Sequence, residues 1–512
     1  MMNAASMKRG RGLSMRPILP TILCFAAATA EVFYVDPKLG RDHGRCGNGP
    51  LEGACKSLRY TKDTLVRSST ASGGVEVRLA AGLHPLDGRP LVFSPEDSGS
   101  PDAPIRYVGP ASEEAVLSGA VEVSPASWAL VSDSDPTLFQ STLPVSDTVY
   151  FHQLFVNGTR RDRSRSATFA YDEAASDGSY LEVSDSVLAA LPDLSDLDGV
   201  YCVTYESWTA SYHEISHVDL DARRLYLAQS FNSEWAAASG NRFYIDGAAR
   251  TEGHDVAGNF HYDRANRLLT YRTADDAETA AFASGTAAVS YPQLIEVLVA
   301  EGTPDDTVHD LLFQNLVVEG AAVDMSDCLS GSCDGQSASF LSTAAVRVAS
   351  AVNVAFEGIT VRGVGGYGVW FSTACDNVTL SRSHLHDLGA GGARLGPAAS
   401  GVEPDVNAQN RGSGISDCVI EDGGLWFEMG CGVLAQQVNG AIIEHNTISN
   451  FGCKFISFFA HRACLHNSNN PFRLLDRHGD QRGLDLGVRG DIRVRQPRGV
   501  QRHQLHWQRH SE

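Results

Sequence analysis

The chain has 512 residues, of which 41 are Lys or Arg and 61 are Asp or Glu, and its formal net charge is −20. This acidic balance argues against binding to nucleic acid and to anionic membranes, whereas a neutral sugar remains a compatible partner. The length favours more than one domain.

Residues 1–30 are predicted to be a signal peptide. A basic stretch precedes a short apolar run, which ends in Ala28, Thr29 and Ala30. Small residues in this pattern are typical of the cleavage site of secreted proteins. The run is too short to span a membrane, and no later run reaches the length of about 18 apolar residues that a span needs. We therefore expect a secreted protein without a membrane span.

Two β-rich regions follow the predicted signal peptide. Residues 31–119 contain short strand-like runs such as Val75–Leu79, separated by turn residues, and are predicted to form an N-terminal cap and the first coils of a β structure. Residues 120–290 contain aromatic runs such as RFYI at 242–245 and show no long helical period. They are predicted to form an inserted or separate β domain.

Residues 291–455 contain a repeat. Five segments align: FQNLVVEG (313–320), FEGITVRG (356–363), LSRSHLHD (380–387), ISDCVIED (415–422) and IEHNTISN (443–450). Their first and sixth positions are apolar, and their eighth is Gly, Asp or Asn, which are turn residues. The segments alternate with period two, which excludes helical repeats. An apolar register with turns at a constant position indicates stacked coils, so we predict an all-β fold whose repeat region is a right-handed parallel β-helix.

Several stretches resemble known β-helix proteins. Residues 33–58, with Tyr34-Val35-Asp36-Pro37, resemble the N-terminal segment of pectate-lyase-like right-handed β-helix proteins. LFVNGTRRDRSRS (154–166), GNFHYD (258–263), HDLGAGG (386–392) and IIEHNTISNFG (442–452) look like stretches of proteins similar to glycoside hydrolase family 141. The resemblance implies a β-helix that acts on a polysaccharide or oligosaccharide. It is weaker for activity, because related β-helix proteins include hydrolases, lyases, epimerases and non-catalytic proteins.

Asp387 and Asp422 are the predicted catalytic pair. Glycoside cleavage needs two carboxylates, and these two occupy the eighth position of consecutive segments. Stacked strands lie about 4.8 Å apart, so their carboxyls are expected about 5 Å apart, as in retaining enzymes. This expectation requires that residues 390–411 form a loop, because a further coil would double the spacing and indicate inversion. The alternative is a plain ladder of turns, in which Asp and Asn only satisfy backbone amides.

Four nearby residues complete the predicted site. Glu428 is a third candidate catalytic carboxylate, and Trp426, His386 and Glu421 are predicted to bind substrate. The alternative for Trp426 is an aromatic side chain at the edge of the core. No Cys or His spacing is typical of zinc, so neither a metal nor another cofactor is expected. We expect a monomer.

Two other functions remain open. A polysaccharide lyase would need an Arg or Lys base, and Lys is absent between Lys62 and Lys454. The Arg residues available in the coils are Arg347, Arg362, Arg382 and Arg394. Arginine is a poor base because it stays charged, so the lyase ranks below the hydrolase. The non-enzymatic alternative is a cell-surface or adhesion scaffold.

The cysteines predict two local disulfides. Cys46 with Cys55, and Cys328 with Cys333, are close enough in sequence to link loops of an exported protein. The cysteines of the repeat region are Cys375, Cys418, Cys431 and Cys453. For them, both buried thiols and disulfides remain open.

Residues 456–512 are predicted to be an irregular basic tail. Within them, residues 461–512 contain ten Arg, no Lys and five acidic residues, which reverses the charge of the rest of the chain. Our hypothesis is that this tail is read out of frame or from an unspliced segment. The alternative is a genuine disordered tail.

Sequencing of the transcript across codons 450–470 tests this hypothesis. We expect the transcript to depart from the present reading frame or to lack part of this segment, because the composition changes so abruptly. A continuous transcript that encodes the tail as written, together with detection of its peptides, would contradict the hypothesis.

Overall fold

The structure, a computed structural model, describes residues 29–144, 151–206, 209–230, 242–248, 256–326, 333, 335–398, 407–452, 454–459, 473–474 and 493–495. These residues form a parallel β-helix with three faces, and a β-rich domain is inserted into one coil. The predicted all-β fold, a right-handed parallel β-helix with an additional β domain, is confirmed.

The three faces of the helix are parallel sheets, which we call A, B and C in the order in which the chain visits them. Face A contains Glu31–Val35, Val75–Leu79, Ile105–Val108, Val308–Gln314, Ala351–Glu357, Thr379–Ser381, Gly414–Ser416, Ile442–Glu444, Arg493–Arg495 and Arg473–Leu474, with the short flanking strands Cys375–Asp376, Asn410–Arg411 and Val438–Asn439. Face B contains Gly82–His84, Ala115–Ser118, Leu316–Glu319, Thr360–Val364, His384–Leu388, Val419–Ile420 and Thr447–Ile448. Face C contains Leu91–Phe93, Leu298–Glu301, Ala344–Ala349, Tyr367–Phe371, Ala393–Leu395, Cys431–Gln436 and Lys454–Phe459.

The five aligned segments stack on consecutive coils in the predicted register. Their first positions pair on face A as Phe313, Phe356, Leu380, Ile415 and Ile443. Their sixth positions pair on face B as Val318, Val361, Leu385, Ile420 and Ile448. Because Leu385 pairs directly with Ile420, no further coil lies between Asp387 and Asp422.

The core of the helix consists of the inward side chains of all three faces. Alternate positions of each strand point inward, so the apolar residues of the repeat are buried in one continuous column. Aromatic rings stack along this column, for example Phe313 on Phe356 with ring centroids 4.9 Å apart. Each coil therefore buries the apolar surface of the coil before it.

The inserted domain leaves the helix after face B strand Ala115–Ser118 and returns before face C strand Leu298–Glu301. One of its sheets contains Ala120–Val123, Val289–Pro292, Leu154–Val156, Thr159–Arg163, Asn259–Asp263, Leu268–Arg272, Asp135–Thr142 and Ala129–Ser132. The other contains Phe169–Ala170, Arg242–Asp246, Tyr201–Tyr205, Ala210–Asp219, Arg224–Leu227, Tyr180–Glu182 and Glu173–Ala174.

Helices are short and few in the described part of the chain. The α-helical segments are Leu58–Tyr60, which continues as a π-helical turn over Thr61–Val66, Asp185–Leu188 and Asp276–Ala283. The 3₁₀ segments are Leu51–Gly53, Pro95–Asp97, Pro125–Ser127 and Gln336–Ala338. Ser57 caps the first helix, since its side chain accepts a hydrogen bond from the amide of Tyr60. No helix of the described residues has the length and apolarity that a membrane crossing requires.

The cysteines fall into two groups. Cys46 and Cys55 form a disulfide that closes the loop after the first strand, and Cys333 is also disulfide-bonded, with a partner outside the described residues. Four cysteines of the described residues are buried thiols outside these disulfides: Cys202, Cys375, Cys418 and Cys431. Burial raises the pKa of Cys375 to about 12 and that of Cys418 to about 11, so these thiols stay protonated.

Parts of three sequence predictions lie outside the described residues. The predicted signal peptide is almost entirely outside them, and so are Cys328 and Cys453. Most of the predicted tail is outside as well, apart from Arg473–Leu474 and Arg493–Arg495, which pair with face A. Face C strand Lys454–Phe459 crosses the predicted boundary at residue 455.

A buried ion network anchors the N-terminal cap of the helix. Asp97 accepts hydrogen bonds from Lys62 Nζ at 3.0 Å and from Arg67 Nε at 2.7 Å. Burial alone would raise the pKa of Asp97, but the hydrogen bonds from Arg67, Ser94 and Lys62 outweigh it and lower this pKa below its ordinary value. Because the folded pKa is below the unfolded one, Asp97 stabilises the fold above about pH 4 and loses this effect as the pH falls.

Asp97→Asn is expected to lower the free energy of unfolding by about 3 kcal/mol at pH 7, because two cations lose their buried counter-charge. Urea unfolding followed by circular dichroism measures this loss. The difference from wild type should be constant between about pH 7 and pH 5 and should shrink below about pH 4.

The matched control is Glu96→Gln, which removes an exposed carboxylate that also pairs with Arg67, at 2.8 Å. We expect this change to alter the free energy of unfolding by less than about 1 kcal/mol. An equal loss in both variants, or a loss in Asp97→Asn that does not depend on pH, would contradict the ionic origin of the effect.

Candidate functional site

In the five coils that carry the aligned segments, the chain leaves face B through the same kind of turn, and we call this turn the B–C corner. The eighth positions of the aligned segments lie at this corner, and all have a left-handed backbone. Their φ values are 67° at Gly320, 63° at Gly363, 54° at Asp387, 52° at Asp422 and 55° at Asn450. Gly, Asn and Asp tolerate this conformation best, so the turn by itself accounts for the residue types at this ladder.

Asp387 and Asp422 lie at the B–C corner of neighbouring coils. The amide of Leu388 donates a hydrogen bond to the carbonyl of Asp422 at 2.9 Å, which joins the two corners directly. Coils in such a ladder are separated by about 4.8 Å. The two carboxylates that the sequence predicts as a pair therefore project from adjacent turns.

The two carboxylates have different partners. Arg160, from the inserted domain, donates from Nε to Asp387 Oδ1 at 2.5 Å, and Asp387 keeps 25% of its side chain exposed. Asp422 is more exposed, and its Oδ1 accepts a hydrogen bond from the side-chain amide of Asn450 at 2.8 Å. Asp387 is therefore ion-paired, whereas Asp422 accepts a hydrogen bond from a neutral amide.

His386 and Glu421 lie on the outer surface of face B, one residue before the corner. The rings of His384 and His386 stack with centroids 4.4 Å apart, and His384 Nε2 lies 3.0 Å from Glu421 Oε1. Ser449 Oγ donates to the other Glu421 oxygen at 3.3 Å. Burial, together with the neighbouring His384, lowers the pKa of His386, so its imidazole is neutral at pH 7. These side chains form a polar strip beside Asp387 and Asp422.

Trp426 lies in the loop that follows Asp422 and contacts the inserted domain. Its backbone amide donates to the carbonyl of Gly389 at 2.9 Å, which fixes the loop against the neighbouring coil. Its ring stacks on His152 with centroids 4.0 Å apart, and Tyr212 Oη donates to its carbonyl. One face of the indole is therefore covered by an imidazole, which favours the alternative of an aromatic side chain at the edge of the core.

Glu428 lies where the β-helix meets the inserted domain. Its Oε1 accepts a hydrogen bond from Tyr205 Oη at 2.9 Å and lies 3.4 Å from Arg165 Nη1. The guanidinium of Arg165 in turn lies over the ring of Tyr244. About a third of the Glu428 side chain is exposed, so this carboxylate is accessible from the junction.

The inserted domain contributes residues to this region that the sequence analysis did not single out. Arg160 and Arg165 both come from the stretch LFVNGTRRDRSRS, on which part of the resemblance rests. Between them, Arg163 donates to Asp246 at 2.6 Å, and both of these side chains are buried. The resemblance pointed to this stretch in the sequence. The residues that it contacts lie far away along the chain, and no local sequence pattern identifies them.

The described residues offer little for a metal ion. The one group of three potential ligands that lie close together among them is Asp42, Cys46 and Cys55. The two sulfurs of this group form the disulfide, so neither is available as a thiolate.

The comparisons with known proteins identify related folds. No family model and no curated protein matches the chain. A solved glycoside hydrolase aligns with a TM-score of 0.68 at 20% identity, over 82% of this chain and 77% of its own. XylC in complex with xylose aligns with a TM-score of 0.38 at 10% identity, over 83% of this chain and 66% of its own, which is too low a score to bear on the fold. The first likeness is one of fold alone.

Gly363→Ala tests how tightly the inserted domain packs on the B–C corner. A Cβ at Gly363 would lie 3.1 Å from the ring of Phe155 and 3.7 Å from Asp387 Oδ2. Gly158 is also left-handed, with φ 76°, but a Cβ there meets nothing within 4 Å. Both alanines carry the cost of the left-handed backbone, about 1 kcal/mol.

We expect Gly363→Ala to destabilise the protein by about 1 kcal/mol more than Gly158→Ala, because only the first change displaces a packed ring. Parallel urea titrations of the two variants measure this difference. Equal losses would mean that Phe155 does not pack against this corner in solution.

Proposed function

We propose that this protein is secreted, acts on carbohydrate and hydrolyses glycosidic bonds. The observation that carries the proposal is the pair Asp387 and Asp422, which occupy the same corner of adjacent coils beside an inserted domain. The fold likeness to a solved glycoside hydrolase is compatible with it. A polysaccharide or oligosaccharide would lie along the outer surface of face B, against the polar strip of His386 and Glu421.

The stacking of adjacent coils and the partners of the two carboxylates support a retaining mechanism for the proposed hydrolysis. A separation of about 5 Å is that of retaining glycosidases, in which one carboxylate attacks the anomeric carbon. We assign the nucleophile to Asp387, whose ion pair with Arg160 fixes its position. Asp422 then donates a proton to the leaving oxygen as the glycosidic C–O bond breaks. In the second step, it takes a proton from the water that releases the sugar from Asp387.

Glu428 is the alternative acid. It lies on the loop after Asp422, is partly exposed and accepts a hydrogen bond from Tyr205. If the leaving group lies toward the inserted domain, Glu428 would donate the proton in place of Asp422. The activities of the variants described below distinguish Asp422 from Glu428 as the acid.

The disulfide between Cys46 and Cys55 supports the proposal of secretion, because such bonds persist in oxidising compartments. The predicted signal peptide is the other support, and it comes from the sequence alone. A monomer remains a prediction.

A non-catalytic carbohydrate-binding scaffold is the second candidate. The observation that favours it is the left-handed backbone at all five corner positions, since this turn accounts for Asp, Asn and Gly without catalysis. A scaffold would bind glycans through the polar strip without cleaving them.

A lyase is less well supported, because the coil arginines are engaged. Arg347 pairs with Glu296 and Glu301, Arg362 pairs with Glu114 and Glu319, and Arg382 pairs with Glu357. Burial lowers the pKa of Arg394 to about 10, but this side chain is buried and donates to the carbonyls of Leu341 and Ser339. None of these four is a free base at the surface of the described residues.

The proposal predicts that Asp387→Asn and Asp422→Asn each reduce hydrolysis by about 10³-fold or more while glycan binding is retained. The assay is a panel of aryl glycosides and defined oligosaccharides, with glycan-array binding measured in parallel. If Glu428→Gln abolishes hydrolysis and Asp422→Asn does not, Glu428 is the acid.

Asp417→Asn is the matched control. Asp417 lies on the same coil as Asp422, is also left-handed with φ 55° and is exposed, but it lies at the turn between faces A and B. We expect this variant to keep full activity. A wild-type protein that binds glycans but cleaves none of the panel would favour the scaffold and contradict the hydrolase.

A further inference from the structure

We propose that Arg160 of the inserted domain is a positioning residue, which holds the carboxylate of Asp387 for attack and so makes the active site a product of both parts of the chain. This inference rests on the proposed function. It adds a residue from outside the β-helix and assigns a role to the insertion.

A rigid hairpin presents Arg160. Strands Leu154–Val156 and Thr159–Arg163 pair antiparallel and are joined by Asn157 and Gly158, both left-handed with φ 51° and 76°. This is the backbone of the tightest two-residue hairpins. Asn157 Oδ1 accepts a hydrogen bond from the amide of Ala288 at 3.1 Å, which ties the turn to the end of the insertion.

Within this hairpin, Phe155 lies directly opposite Arg160. Cross-strand neighbours of this kind project from the same side of the sheet. The guanidinium of Arg160 lies 5.4 Å from the centre of the Phe155 ring, and that ring packs against the corner at Gly363. The side chain of Arg160 is therefore supported along its length before it reaches Asp387, and only 12% of it is exposed.

The guanidinium makes three contacts with two neighbouring coils. Its Nε donates to Asp387 Oδ1 at 2.5 Å, and its Nη2 donates to the carbonyl of Asp387 at 3.0 Å and to the carbonyl of Val364 at 2.9 Å. Val364 pairs with Leu388 on the next coil, so the two carbonyls belong to successive turns of the same corner. The guanidinium reaches these acceptors with two separate nitrogens held in one plane, whereas a lysine ammonium would have to reach them from a single nitrogen on a flexible stem.

These contacts fix one carboxylate oxygen and leave the other for chemistry. Oδ1 of Asp387 is engaged by Arg160, whereas Oδ2 lies on the side of Gly363 and the Phe155 ring and accepts no hydrogen bond from the described residues. A nucleophile must be held in the attacking geometry to within a fraction of an ångström, and small displacements are costly in rate. Arg160 therefore acts through Asp387 and is not itself a catalytic residue.

The test compares Arg160→Gln and Arg160→Lys with Arg161→Gln. Arg161 is the next residue on the same strand, is similarly buried and donates to Glu278 and Tyr271 within the inserted domain, so its loss weakens the insertion without touching Asp387. Kinetics are measured on whichever glycoside of the panel the wild type cleaves fastest, and thermal unfolding is recorded for all proteins.

Arg160→Gln is expected to lower kcat by about 100-fold with KM changed by less than about threefold, because ground-state binding is largely untouched. Arg160→Lys should recover part of this loss, since it keeps the charge but not the three-way contact. Arg161→Gln should lose about as much thermal stability as Arg160→Gln but keep the kcat of the wild type.

Two results would overturn the inference while leaving the hydrolase intact. One is wild-type kcat in Arg160→Gln. The other is an equal loss of kcat in Arg160→Gln and Arg161→Gln, which would show that only the stability of the insertion matters. If the wild type cleaves no glycan, the proposed function fails, and the positioning role fails with it.

Discussion

Every other feature of this molecule depends on the in-register stacking of successive coils. The backbone of each strand is hydrogen-bonded to the coils on either side. The inward apolar side chains pack on the apolar side chains of the next coil, as in the stack of Phe313 on Phe356. A shift by one residue would turn the whole apolar set of a strand outward. The register is therefore fixed over the whole ladder, and equivalent positions of successive coils lie about 4.8 Å apart along the axis. This constraint turns two separated aspartates into neighbours.

The elaborations of the helix gather at one edge. The inserted domain, the described residues 320–326 and 335–343, and the loop that carries Trp426 and Glu428 all lie between a strand of face B and the next strand of face C. The other two turns of each coil stay short through most of the ladder. Polar side chains such as Asp387, Glu421 and Glu428 are therefore concentrated where the left-handed corner meets these added segments, and the rest of the helix holds them in place.

The sequence predicted the parts of the structure that repeat. The register of the five segments could be found because period two and a turn residue at a fixed position are local signals, and the stacking of Leu385 on Ile420 follows from them. The contacts that join the insertion to the helix could not be found in this way. Arg160 and Asp387 are 227 residues apart, and Tyr205 and Glu428 are 223 apart. Neither pair belongs to a periodic pattern, so only the folded chain brings their charges together.

The junction of the insertion with the helix has a consequence for how such a protein can change over evolutionary time. The amides of Gln293 and Leu294 both donate to the carbonyl of Gly119, at 2.9 and 3.0 Å, so the coil closes on itself across the base of the insertion. The first and last strands of the insertion, Ala120–Val123 and Val289–Pro292, pair antiparallel directly above this closure. The backbone of about 170 residues thus enters and leaves the helix at one place, and side chains of the insertion make further contacts with the helix. A different domain could be attached at this closure, but it would also have to cover the apolar helix surface against which Tyr212 and Tyr244 are buried, and to present its own side chains to the same corner.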